Sequence, residues 1–311
     1  MISIYTFMGK GYGYGKVILF NEHFVVYGIP AIASAIDKKT IAEVKKCEGK
    51  DFIIHDNRDA TPGYKEEKLE QQKESIVRIK KAMGIDDCIE IWLHGDLKAA
   101  SGIGASAASC AAIARAIADE FGMNLSDEKI NEIAYEGEKA YHGSPSGIDN
   151  TCAVFGGLVW FVKGEGMERL KIDKPVEIVM GDTGIVANTK KAVAGVRERK
   201  EKYKEKYDRI FKEAEELVYE ARDALLKMDW ERVGELMNKN HKLLQEIEVS
   251  CKELDFLVEV ALENGAYGAK MTGGGLGGYM VALTPGKELQ EKVAKAIERE
   301  GFYALRTRIG I

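Results

Sequence analysis

Helical and strand-like spacings of apolar residues alternate along this chain. Leu69, Ile76, Ile79 and Met83 share one face of a highly charged segment, which predicts an amphipathic helix over 65–83. Asn124-Leu125-Ser126, followed by Asp127 and Glu128, reads as a capped start of a helix running to about Tyr141. Residues 189–227 are helical in pattern and rich in charge, which marks solvated faces. Val233, Leu236, Met237, His241 and Leu244 predict a further helix over 230–246. Two more helices follow, at 254–264 with Gly265 as its cap, and at 287–299 with Leu289, Val293 and Ile297 on one face. Residues 1–45 read as β structure, with runs at 17–20 and 24–26 split by Asn21-Glu22-His23. Segments 40–46 and 51–55 predict a hairpin, and 56–63 a loop. Further strands are expected at 89–93, 154–162, 178–180, 279–283 and 303–307, so the chain ends as strand, helix, strand.

Glycine punctuates this pattern in three places. Ser101-Gly102-Ile103-Gly104-Ala105-Ser106-Ala107-Ala108 begins with glycine and continues as an alanine-rich helix through Ile113, Ala114, Ile117 and Ala118. A tight loop feeding a helix N-terminus presents unpaired N–H groups and the positive end of the helix dipole, and so suits a phosphate. Gly9, Gly11, Gly13 and Gly15 alternate with other residues. They read as a flexible turn, or as backbone that can approach a ligand or another chain closely. Gly273-Gly274-Gly275-Leu276-Gly277-Gly278 reads as a loop with close backbone approach. None of the three is a Walker A sequence or a Rossmann fingerprint, and the H-R-D and D-F-G motifs of protein kinases are absent.

At 311 residues the chain is long for one core and comfortable for two domains, with a boundary expected within 164–175. A hydrophobic content of 45% and a net charge of −5 describe a soluble protein and exclude a general nucleic-acid binder. No apolar run reaches membrane-spanning length, and the N-terminus lacks a signal-peptide pattern. The expected location is the reducing cytoplasm. Cys47, Cys88, Cys110, Cys152 and Cys251 are scattered without a C-x-x-C pair, so neither a zinc cluster nor a disulfide framework is expected.

Three blocks resemble the motifs of the GHMP family of small-molecule kinases. They are Gly15-Lys16-Val17-Ile18-Leu19-Phe20-Asn21-Glu22-His23, Gly102-Ile103-Gly104-Ala105-Ser106-Ala107-Ala108 and Lys270-Met271-Thr272-Gly273-Gly274-Gly275-Leu276-Gly277-Gly278. Their order spans nearly the whole chain. The stretches 136–138, 142–150, 155–157, 188–197 and 237–244 are most similar to the mevalonate kinase branch. The resemblance implies a two-domain α+β fold. Residues 1–175 would form a mixed N-terminal nucleotide- and Mg-binding domain, and residues 176–311 a ferredoxin-like C-terminal one. It implies transfer from ATP to the 5-hydroxyl of mevalonate, a step towards isoprenoids. The alternatives are a GHMP kinase for another alcohol, such as phosphomevalonate, galactose or homoserine, a related ATP-dependent decarboxylase, and a non-catalytic sensor. Many members of the family are homodimers.

The resemblance also implies roles for single residues. Ser106 and Glu138 would hold Mg²⁺, and the backbone of Gly102, Ile103, Gly104, Ala105, Ser106 and Ala107 would cradle the ATP phosphates. Asp149 would take the proton of the attacking alcohol, with Lys16 paired to it and stabilising the alkoxide. Glu22, His23 and Thr189 would face the substrate, Thr272 would contact a ligand or brace its loop, and His142 reads as structural. These residue types suit phosphoryl transfer, which needs alignment and charge neutralisation more than covalent help. The chain departs from the family pattern at Asn21, where glycine is usual, and at Phe24, Lys98, Ala105 and Leu276.

Overall fold

The structure, a computed structural model, describes residues 8–49, 51–143, 145–187 and 189–311. The β structure expected at 1–7, and Ser144 and Asn188 of the family-like stretches, lie outside the described residues. The chain divides into two compact units that interleave. The first holds 8–15, 38–99 and 104–155; the second holds 16–37, 100–103 and 156–311. This differs from the consecutive division at 164–175 expected from the sequence. Two long strands, β1 (Gly9–Phe20) and β2 (Ala31–Lys46), each contribute one half to each unit. The expected boundary is itself partly a strand, β6 (Gly166–Leu170), paired with β5 (Leu158–Val162).

In the first unit, β3 (Phe52–Asp56), α1 (Tyr64–Met83) and β4 (Ile89–Gly95) form a parallel crossover. The second half of β2 pairs antiparallel with β4, from Thr40 opposite Gly95 to Lys46 opposite Ile89. The hairpin expected from 40–46 and 51–55 is therefore absent: β4 pairs with both segments, because a parallel partner reached through α1 leaves no local sequence signal. Helix α2 (Ala105–Glu120) is buried nearly all round, as its alanine content requires. Helix α3 (Asp127–His142) starts at Ser126, whose hydroxyl accepts the Lys129 N–H at 3.3 Å, and packs on α1 and α2. Ile76, Ile79, Ile91, Leu93, Ile113 and Ile133 belong to the core these elements share. Helix α4 (Ile148–Phe155) closes the unit, so the expected strand at 154–162 begins only at Leu158.

The glycines of β1 explain how this core closes. A Cβ on Gly9, Gly11 or Gly13 would lie 2.2–2.3 Å from the carbonyl oxygens of Ala116, Ala112 and Ala108 respectively. Two residues of strand and four of helix advance the chain by nearly the same distance, about 6–7 Å. Alternate glycines thus meet every fourth residue of α2, and the segment is a strand lying on a helix rather than a turn.

In the second unit, β7 (Val176–Asp182), β8 (Gly268–Thr272), β9 (Tyr279–Leu283) and β10 (Tyr303–Ile309) form an antiparallel sheet ordered β10-β7-β9-β8. Between β7 and β8 run α5 (Thr189–Lys202), α6 (Lys204–Leu226), α7 (Trp230–Glu246) and α8 (Lys252–Glu263), and α9 (Lys287–Arg299) joins β9 to β10. This is the ferredoxin-like order. The first half of β2 pairs with β5, and Ile36 with Ile309 of β10. Residues 24–26, expected as a strand, instead belong to a 3-10 helix, Phe24–Tyr27, with Phe24 edge-on to Phe211 at 5.1 Å.

The expectation of no disulfide is also corrected. Cys47 and Cys88 are bonded, with Cα atoms 5.0 Å apart, just beyond the point where Lys46 of β2 faces Ile89 of β4. Their separation of 41 residues gave no hint of this pairing.

Candidate active site

All three glycine-bearing motifs contribute to one corner of the second unit. The N–H of Lys16 donates to the Ile103 carbonyl at 2.8 Å, which ties β1 to the first part of the glycine turn. The Thr272 hydroxyl accepts the Ile18 N–H at 3.1 Å and donates to the Ile18 carbonyl at 2.9 Å. Thr272 therefore braces its loop against β1. A Cβ on Gly273 would lie 3.2 Å from the Gly102 Cα, so the third motif lies directly on the second. A Cβ on Gly274 would lie 2.0 Å from Thr189 Oγ1, which places Thr189, at the start of α5, against the same loop.

Beyond β1 the backbone turns sharply. Asn21 and His23 have φ of 66° and 60°, a conformation that costs residues other than glycine about 1 kcal/mol or more. Such strain concentrates at functional positions. The Asn21 amide is buried and donates to the carbonyls of Pro30 and Ala214, both at 2.9 Å, while its oxygen accepts from Asn240. Glu22, between them, is 1% exposed and its Oε1 accepts from the ammonium of Lys270, which is fully buried. Burial pushes the Glu22 carboxyl up and the Lys270 ammonium down from their ordinary values. The His23 Nε2 lies 3.0 Å from the Gly274 carbonyl. A carbonyl only accepts, so Nε2 carries the proton and Nδ1 is an acceptor. Burial lowers the His23 imidazole to about 4, so the ring is neutral near pH 7.

The first unit carries the other candidates. The left-handed Gly104, φ 71°, caps α2, and the first helical bond runs from the Ala108 N–H to the Gly104 carbonyl at 3.0 Å. The N–H groups of Ala105, Ser106 and Ala107 lie ahead of that bond and have no acceptor within the helix. Ser106 lines a small pocket with Arg58, Tyr64, Lys65, Lys68 and Tyr141. Arg58 is buried; its guanidinium donates to the Asp56 carboxylate and, at 2.7 Å, to the Ser109 hydroxyl, which pins the first turn of α2. Despite burial, this guanidinium holds the Asp56 carboxyl below its ordinary value. Glu138, on α3, is 1% exposed, with His142 Nε2 at 3.7 Å and Cys110 Sγ at 4.0 Å. Asp149 is half-buried in the first turn of α4.

The structure therefore gathers Lys16, Gly102, Ile103, Glu22, His23 and Thr189 in the second unit. Gly104, Ala105, Ser106, Ala107, Glu138 and Asp149 belong to the first. Sequence reasoning gave no role to Lys270 or Arg58. Lys270 had a signal, as a charged residue inside the apolar strand Gly-Ala-Lys-Met-Thr, and such a residue is rarely buried without a partner. Arg58 stands in a polar loop and had none.

Residues 72–157 match the GHMP kinases N terminal domain and residues 221–304 the GHMP kinases C terminal domain. A mevalonate kinase of Pyrococcus horikoshii is 36% identical over 316 aligned residues, covering 94% of this chain and 93% of its own. The chain belongs to the GHMP kinase family. A GHMP kinase is a phosphotransferase that uses ATP, and this one is related along its length to mevalonate kinases. The mevalonate kinase of Arabidopsis thaliana is 27% identical over 376 aligned residues, covering 95% of this chain and 96% of its own. Among solved structures, L. major mevalonate kinase in complex with R-mevalonate is 36% identical and aligns with a TM-score of 0.92 over 97% of this chain and 95% of its own. Lactococcus lactis galactokinase, 20% identical with a TM-score of 0.75 over 98% of this chain and 94% of its own, shares the fold.

Proposed function

We propose that this GHMP kinase transfers the γ-phosphoryl group of ATP to the 5-hydroxyl of mevalonate. The observation that carries the reading is the likeness along 97% of the chain, at 36% identity, to a protein whose structure holds R-mevalonate. The N–H groups at the start of α2 and in the turn 102–104 cradle the phosphates, with Lys65 and Lys68 near the cavity beside Ser106. Ser106 and Glu138 hold Mg²⁺. A hydroxyl and one carboxylate are the hard oxygen donors this ion prefers. An ion held by these two residues would supply charge neutralisation on the phosphoryl group.

Transfer forms a bond from the substrate 5-oxygen to the γ-phosphorus. It breaks the bond from that phosphorus to the bridging oxygen, which leaves on ADP. Asp149 takes the alcohol proton and Lys16 stabilises the forming alkoxide. Glu22, His23 and Thr189 hold the rest of the substrate. Among the described residues no helix is long and apolar enough to cross a membrane, and a kinase for two small soluble molecules acts in the cytoplasm on this reading. A coupled ADP-release assay tests the proposal. Turnover of mevalonate is expected, with none of phosphomevalonate, galactose or homoserine. No ADP from mevalonate sinks the reading, and CO₂ released from a diphosphorylated substrate assigns a decarboxylase in its place.

A further inference from the structure

Glu22 offers one oxygen to the protein and keeps one in reserve. Oε1 accepts from Lys270; Oε2 is buried and has no hydrogen-bond partner among the described residues. A buried carboxylate oxygen left in this way is costly unless a ligand reaches it. An ionised carboxylate only accepts, so the group it awaits is a donor: a hydroxyl, and not the carboxylate of a hydroxy acid. The neighbouring His23 Nδ1 is likewise buried without a partner among the described residues, and it too is an acceptor. Glu22 and His23 thus each hold one buried acceptor without a donor among the described residues.

What keeps Glu22 in the accepting form is the ammonium against it. Lys270 is fully buried within β8, and it donates to Glu22 Oε1 and, at 2.7 Å, to the carbonyl of Met271. Burial pushes Glu22 towards the neutral acid; Lys270 opposes this first by charge and then by its hydrogen bond, and the Glu22 backbone N–H and Lys16 oppose it more weakly. Near Lys270 stands His241, whose Nδ1 accepts the Met271 N–H at 3.3 Å and whose Nε2 lies 3.2 Å from Asp255. Burial keeps that ring neutral, lowered to about 4, so it does not compete with Lys270 for the charge of Glu22 near pH 7.

We propose that Lys270 is a positioning residue for substrate: it clamps one oxygen of Glu22 so that the other stays an ionised acceptor for a substrate hydroxyl. The proposal rests on the reading that Glu22 faces the alcohol substrate. It is tested on the full-length protein with Lys270→Met, Glu22→Gln and the double variant, using the alcohol that the wild-type protein turns over. Lys270→Met is expected to raise KM for the alcohol at least tenfold and to leave KM for ATP within twofold. It is also expected to move the acid limb of the kcat/KM profile to higher pH, which a purely structural loss would not do. Glu22→Gln is expected to raise KM for the alcohol and to abolish that limb. The double variant carries no uncompensated buried charge, so it remains informative if Lys270→Met does not fold. In the Glu22→Gln background, Lys270→Met is expected to change KM for the alcohol by less than twofold. A folded Lys270→Met with unchanged KM and acid limb overturns the proposal. So does a full, independent effect of Lys270→Met on top of Glu22→Gln, or a Glu22→Gln protein with wild-type KM. Failure of the mevalonate reading shows separately, in the wild-type substrate panel.

Discussion

Two left-handed residues flank Glu22, and each shows how a local rule yields to a site. The sequence marks Asn21 as a departure from the usual glycine. Its φ of 66° accounts for the glycine preference, and asparagine is the side chain that best tolerates the same backbone. The Asn21 amide also links β1 to residues 30, 214 and 240, which glycine could not do. His23 leads to a stability prediction. Its folded imidazole stays neutral down to about pH 4, whereas the unfolded ring takes a proton below about 6.5. As pH falls from 6.5 to 4 the unfolded state gains protons that the folded ring refuses, so stability falls by up to about 3 kcal/mol from this group. His23→Gln should lose less stability than wild type between pH 7.5 and 4.5, measured by urea midpoints at both values. Equal losses would show that the ring is not held neutral. Glu22 and His23 were legible from their motif. The partner of Glu22 was not, because 248 residues separate it from Lys270 and no local spacing encodes a pair that only folding brings together.

At the scale of elements, helices were the most legible. The 3.6-residue period is local, and the observed bounds of α1, α7 and α9 lie within a residue of those expected. Strands were read less well where their partners lie elsewhere in the chain. Residues 40–46 and 51–55 are both strands, yet what pairs with each is β4. The alternating glycines of β1 looked like a turn because glycine weakens strands in general. Here the missing side chains let the strand lie on α2. Gly11→Ala puts a methyl group 2.2 Å from the Ala112 carbonyl and 2.5 Å from the Ala116 nitrogen, both backbone atoms that no rotamer change can move. It should destabilise the protein by about 3 kcal/mol. Calorimetry should show Tm lower by about 5 °C or more. An unchanged Tm would mean that β1 does not lie on α2 as described.

For the whole molecule, room for two units was legible from length, and the α+β fold and the family from the three motifs. The way the units share the chain was not. The backbone passes from one to the other at 15/16, 37/38, 99/100, 103/104 and 155/156, and the passage at 103/104 falls inside the glycine turn of the second motif. A boundary search looks for composition shifts, and a strand that serves two cores shows none. The cross-link between Cys47 and Cys88 belongs at this scale, since it closes a loop of β3, α1 and most of the crossover around them. Closing a loop with 41 residues of separation removes unfolded-state entropy worth about 4 kcal/mol. Reduction, or Cys88→Ser, should therefore lower Tm; matching melting curves with and without reductant would argue that the bond adds nothing.

That bond also bears on how the protein is handled at the bench. A thiol reductant that opens the bond puts a second covalent form in the cuvette. A rate recorded with reductant and one recorded without it describe two different substances that share a single sequence.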